Sequence, residues 1–187
     1  MYSRFINEIV DLLRKIQICR GDCTIDDLNA AFEEMVNLFR NARQNRNKCF
    51  FIGNGGSAAI AMHMTTDFMK NGGVRTVSLF DPSILTCLGN DFGYENVFSK
   101  SVEMIADEND LLVAISSSGN STNIINAINI ARQKKTKVIT LSGFAADNGI
   151  RRLGDLNLYV PKNDYGMVES VHNMLLQQIV DELKNSI

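Results

Sequence analysis

The sequence predicts an α/β protein: a three-layer α/β/α, doubly wound parallel sheet with an N-terminal helical pair. Three observations predict it. Apolar runs of four to six residues, rich in Val, Ile, Leu and Phe, recur along the chain, each followed by apolar residues at helical spacing. Strands that are apolar throughout, with helices between them, make a parallel sheet covered on both faces. Two of the strand-to-helix junctions carry serine and glycine clusters, Gly53-Asn54-Gly55-Gly56-Ser57 and Ser116-Ser117-Ser118-Gly119-Asn120-Ser121. The only two prolines, Pro82 and Pro161, fall just outside strands, where a missing N–H does no harm.

In chain order, Phe5, Ile6, Ile9, Val10, Leu12, Leu13 and Ile16 mark a first helix over 4–17, ended near Gly21. Thr24 opens a second over 24–42, with Asp27 as a capping-box variant and Leu28, Ala31, Phe32, Met35, Val36 and Phe39 as its apolar face. Two helices thus precede any strand. The alternation then runs strand 48–53, helix 56–70, strand 75–79, helices 82–89 and 95–106, strand 110–115 and helix 121–134. It ends with strand 136–141, helix 144–152, strand 156–160 and helix 165–185. Residues 1–187 form one domain, with 1–46 as helices used in oligomerisation and 47–187 as the α/β core. The N-terminal pair and the last helix have no sheet position of their own and are expected to bundle against other subunits.

With 187 residues the chain buries a substantial core without metal or disulfide staples. Its 19 basic and 21 acidic residues leave a net charge of −2 with no long run of either sign, so neither nucleic acid nor a membrane is implied as a partner. Met1 to Arg20 has acidic residues and helical periodicity in place of a signal peptide's apolar centre, and no stretch reaches transmembrane length. A cytoplasmic location is expected. Cys19, Cys23, Cys49 and Cys87 fit reduced thiols, Cys49 and Cys87 buried, and the Cys19-x-x-x-Cys23 spacing suits no standard zinc motif.

The two serine and glycine clusters carry the chemistry. Glycine admits close backbone approach to an anion, hydroxyls donate to its oxygens, and a helix N-terminus favours negative charge. One such cluster is equally a helix cap with a turn. Two at equivalent places in a parallel sheet point to a phosphate. The first lacks the Lys-Ser/Thr of a Walker A loop, and Gly53-x-Gly55-Gly56 lacks the dinucleotide spacing, so a small phosphorylated ligand is favoured over a nucleotide.

Gly-Asn-Gly-Gly-Ser-Ala-Ala at 53–59, Gly-Asn-Asp-Phe-Gly-Tyr at 89–94 and Ile-Ser-Ser-Ser-Gly-Asn-Ser at 115–121 resemble the sugar isomerase (SIS) domain of the sedoheptulose 7-phosphate isomerases, or phosphoheptose isomerases. The likeness spans nearly the whole chain. It implies a homotetramer with sites at subunit interfaces. It also implies conversion of sedoheptulose 7-phosphate to D-glycero-D-manno-heptose 7-phosphate through an enediol, for surface-glycan heptose. By motif match the substrate-binding residues are Asn54, Gly55, Gly56, Ser57, Asp91, Ser116, Ser117, Ser118 and Ser121. The serines grip the phosphate, and Asn54 and Asp91 face the sugar hydroxyls.

The family's metal positions fall on His63, Asp67, Glu169 and Gln177, with Asp67, Glu169 and Gln177 as the catalytic set. The family pattern has Glu, Gln and His at the last three. The resemblance implies zinc; the harder, oxygen-rich donors here also suit magnesium or manganese, and an empty site stays open. His63 and Asp67 share a helix face, and Glu169 and Gln177 lie roughly 80° apart around theirs, so the four converge if the two helices face each other across a cleft. Asp67 and Glu169 are the candidate bases. Gln177 carries no proton but can hydrogen-bond an enediolate oxygen, which leaves the second proton transfer to Glu169, His172 or water. A non-catalytic SIS sugar-phosphate-binding or regulatory protein, such as the replication-initiator-binding relatives, would keep the same phosphate turns.

Overall fold

The computed structural model describes residues 2–185. The chain runs α1 (Tyr2–Leu13), β1 (Gln17–Arg20), β2 (Cys23–Thr24), α2 (Leu28–Gln44), β3 (Lys48–Ile52), α3 (Gly56–Lys70), β4 (Arg75–Val77) and α4 (Pro82–Phe92). A 3-10 turn (Tyr94–Asn96) follows, then α5 (Val97–Ile105), β5 (Leu111–Ser116), α6 (Thr122–Gln133), β6 (Lys137–Ser142), β7 (Leu156–Tyr159) and α7 (Tyr165–Lys184).

The strands form one seven-stranded sheet in the order β2-β1-β7-β6-β5-β3-β4. Strands β3 to β7 are parallel, and both faces are covered, so β5 is buried along its whole length. Alternation sorts the side chains between two cores. Cys49, Phe51 and Val113 pack under α1, α2, α3 and α7; Phe50, Ile52, Leu112 and Ala114 pack under α4, α5 and α6. On the first face Phe39 of α2, Phe51 of β3 and Phe68 of α3 are fully buried, with ring centroids 4.4 Å (Phe39–Phe68) and 5.0 Å (Phe51–Phe68) apart. Such pairs add about 0.5–1.5 kcal/mol each beyond their buried area. They seat α3 against β3 and so fix where its N-terminus points.

From β3 the chain passes through α3 to β4 at the sheet edge, and from β5 it passes through α6 to β6 on the other side. The winding therefore reverses between the neighbours β3 and β5. A crevice opens beyond the carboxyl ends of strands at such a point.

Five sequence expectations are corrected. Residues 17–24, expected as a helix end, a connection and a helix start, form an antiparallel hairpin, with Cys19 opposite Thr24, turning at Gly21 with φ 56°. Gly21-Asp22 between two extended dipeptides is a hairpin signal. Strand β1 pairs antiparallel with β7, Ile18 opposite Leu158, so the sheet is mixed and the parallel edge at β7 is covered. Asp27, not Thr24, caps α2, accepting from the backbone N–H of Asn29 at 2.9 Å and Ala30 at 3.1 Å. Residues 144–152 form turns in place of a helix: Phe144 has φ 56°, and the buried Asn148 amide donates to the Gly143 and Ala145 carbonyls. Cys49 is buried as expected but Cys87, on α4, is exposed.

Candidate active site

Each glycine of the first turn has its own reason. A Cβ on Gly53 would lie 2.6 Å from the backbone carbonyl of Ser57. Gly55 takes φ 55° and ψ −122°, a conformation open in practice to glycine alone. A Cβ on Gly56 would lie 2.2 Å from Oε2 of Glu169, so the bare backbone makes room for that carboxylate.

The two turns face each other across a cavity of about 300 Å³ at the switch point. Asn54, Gly55, Gly56, Ser57, Ser116, Ser117, Ser118 and Ser121 line it, together with Ile115, Tyr165 and Glu169. Aspartates cap α2, α4 and α7, but the starts of α3 and α6, which open into this cavity, have no side-chain cap. Uncapped helix starts leave N–H groups and the positive dipole end for a ligand. Ser117 is 4% exposed, and its hydroxyl has no partner among the described residues; a buried hydroxyl without one costs free energy until something supplies it. No Lys or Arg is among the lining residues. An anion here is held by hydroxyls, N–H groups and helix dipoles.

Glu169 enters from the first turns of α7, whose N-terminus Asp164 caps through the Met167 N–H at 2.9 Å. Burial raises the pKa of its carboxyl, opposed in part by a hydrogen bond from the Ser57 backbone N–H. A carboxylate shifted in that direction holds an abstracted proton more readily, which suits a group that takes and returns one. Tyr165 was not singled out in the sequence. It stands one turn before Glu169 on the same face of α7, which is the signal for it, and it packs edge-on against Phe144 with centroids 4.7 Å apart.

The other expected residues lie elsewhere. His63 Nε2 is 3.6 Å from Asp67 Oδ2, and Asp67 Oδ1 accepts from Asn71 Nδ2 at 3.2 Å. Helices α3 and α7 run side by side in the same direction, Gly56 against Glu169 and Gly72 against Leu183. Asp67 is therefore roughly 16 Å along the axis from Gly56 and the Glu169 carboxylate, at about 1.5 Å per residue, and Gln177 is roughly 12 Å beyond Glu169. One chain does not bring the four together, and among the described residues no group of three or more His, Cys, Asp and Glu is placed to hold a metal ion. The expected zinc set does not form within a single chain.

Asp91 is exposed on α4, outside the cavity lining, accepting from Asn90 Nδ2 at 2.8 Å and Cys87 Sγ at 3.6 Å. Asn54 lines the cavity, but its amide is engaged with Asn123 and Tyr94. His172 is fully buried; its Nε2–H donates to the Ser142 carbonyl at 3.1 Å, its Nδ1 has no partner among the described residues, and burial lowers its pKa to about 4. A neutral imidazole walled off from the cavity does not exchange protons with a substrate there, which removes it as the second proton carrier.

Fold and cavity together define an α/β domain built to hold a small phosphorylated ligand beside one carboxylate of raised pKa. The SIS domain family model matches residues 5–143. The phosphoheptose isomerase of Aliarcobacter butzleri is 37% identical over 170 residues, 87% of this chain and 89% of that protein. That of Buchnera aphidicola is 33% identical over 96% of this chain and 94% of that protein. The solved structure of phosphoheptose isomerase GmhA from Neisseria gonorrhoeae superposes with a TM-score of 0.83 at 30% identity, covering 97% of both chains. The chain belongs to the SIS domain family and, within it, to the phosphoheptose isomerases.

Proposed function

We propose that this protein isomerises sedoheptulose 7-phosphate to D-glycero-D-manno-heptose 7-phosphate through an enediol, supplying heptose for surface glycans. The observation that carries this is the cavity itself: two uncapped helix starts, Ser117 with a hydroxyl that has no partner among the described residues, and one half-buried carboxylate, Glu169, meet in it. The hydroxyls of Ser57, Ser116, Ser117, Ser118 and Ser121 and the N–H groups of the second turn hold the phosphate. Glu169 takes a proton from C1 of the ketose; the C1–H electrons form the C1=C2 bond and the carbonyl pair moves onto O2. The proton returns to C2 as the C1 hydroxyl becomes the aldehyde, its own proton passing to O2 through water so that C2 ends as a secondary alcohol.

Asp67 and Gln177 reach the same sugar only from a second copy of the chain, since their own helix turns lie too far down. A homotetramer with shared sites follows as part of the proposal. An ion bound at His63 and Asp67 would likewise need donors from a second copy, and no step here passes through one.

Calorimetry with sedoheptulose 7-phosphate and with unphosphorylated sedoheptulose tests the cavity. The phosphorylated sugar is expected to bind and the free sugar to bind far more weakly, with Ser117→Ala costing about 1.5–3 kcal/mol, the range for a hydrogen bond to a charged group. Equal binding of the two sugars would remove the phosphate-site reading.

A further inference from the structure

We infer that Tyr94 is a positioning residue of this cavity, setting the glycine turn against the serine turn through the side chain of Asn54. The inference rests on the reading of the cavity as a sugar-phosphate site. Tyr94 opens the 3-10 turn after α4, and its phenol donates to Asn54 Oδ1 at 2.8 Å. Asn54 Nδ2 donates to Asn123 Oδ1, and Asn123 Nδ2 returns a bond to Asn54 Oδ1, both at 2.9 Å. Asn123, 3% exposed, sits in the first turn of α6 directly after the serine cluster. One cluster of three side chains thus joins the 53–59 and 89–94 motifs to the helix that follows the 115–121 motif.

Counting donors and acceptors gives the consequence. Asn54 Oδ1 has two lone pairs and accepts two hydrogen bonds; Nδ2 has two N–H groups and spends one on Asn123. What Asn54 keeps for a ligand is a single N–H, a donor suited to a sugar or phosphate oxygen. The 3-10 turn is itself fastened to α6, where Asn126 Nδ2 donates to the Glu95 carbonyl at 2.9 Å. Tyr94 is 64% exposed, so its ring adds little to the core and its hydroxyl makes the contact that matters. Without that bond the Asn54 side chain is held only by its amide pair with Asn123. Glu169, held from α7, does not move. Loss of the phenol is therefore read in binding more than in proton transfer.

The test compares purified full-length wild type with Tyr94→Phe, which removes only the hydroxyl. Calorimetry with sedoheptulose 7-phosphate is expected to show about 3- to 10-fold weaker binding, the fold-change of one neutral hydrogen bond, at an unchanged melting temperature. KM should rise by the same factor while kcat stays within about twofold. In an Asn54→Ala background, where the phenol has no partner, Tyr94→Phe should change binding no further. Wild type and Tyr94→Phe binding equally, or equal losses in both backgrounds, would overturn the proposal alone. Wild type that binds no sugar phosphate would overturn the reading of the cavity and this proposal with it.

Discussion

Glu169 and His172 stand one turn apart on α7 and have opposite surroundings. Glu169 faces the cavity and a backbone N–H, and burial raises its pKa. His172 faces inward, and burial lowers its pKa from 6.5 to about 4. Between those two values the unfolded chain binds a proton that the folded chain does not, so stability falls as pH drops from 6.5 toward 4 and this contribution is constant above 6.5. The loss is on the order of 3 kcal/mol. Urea unfolding at several pH values, beside His172→Asn, checks this: the variant keeps a donor for Ser142 and should lack that part of the slope, whereas parallel curves would count against it. At this scale the serines, Asn54 and Glu169 were legible as cavity residues because local motifs carry them. Asp91, Asp67 and Gln177 were not, since a motif match identifies a residue type and does not say which surface or which copy of the chain it faces.

The glycine turn into α3 is where sequence most tightly dictates an element. Gly56→Ala would push only the flexible end of Glu169 aside, because its Cβ meets that carboxylate at 2.2 Å. Gly53→Ala would press on the Ser57 carbonyl at 2.6 Å, and backbone yields far less readily. The expected outcome is that Gly56→Ala loses turnover, about 10²-fold or more, with little change in melting temperature, while Gly53→Ala loses both. Equal melting temperatures for the two variants would contradict the distinction. Strands β3 and β5 to β7 and most helices were legible from apolar runs and spacing. The β1–β2 hairpin was not, because Ile16 continues the apolar spacing of Ile9, Leu12 and Leu13, and Gly21 then reads as a helix end. Nor was the 144–152 segment, where the Asn148 amide takes carbonyls that a helix would need.

At the scale of the molecule, the reversal of winding between β3 and β5 brings two distant turns to one cavity, while the turn of α3 that carries Asp67 is left outside it. Helix α1 presents Tyr2, Phe5, Ile6 and Val10 as an exposed apolar row, the kind of face that another subunit covers. If Asp67 and Glu169 act from different copies, Asp67→Asn and Glu169→Gln are each nearly inactive, yet mixed oligomers of the two contain sites with both native carboxylates and regain activity. Absence of any regain would place both residues' work within one chain. The central claim is tested most directly by incubating wild type with sedoheptulose 7-phosphate in D2O and following the products by NMR. Formation of the aldoheptose 7-phosphate, with deuterium at C2 in at least part of the product, is the predicted result. Sugar phosphate that binds but yields no aldose, with or without added zinc, magnesium or manganese, would contradict it and leave a protein that holds sugar phosphates without converting them.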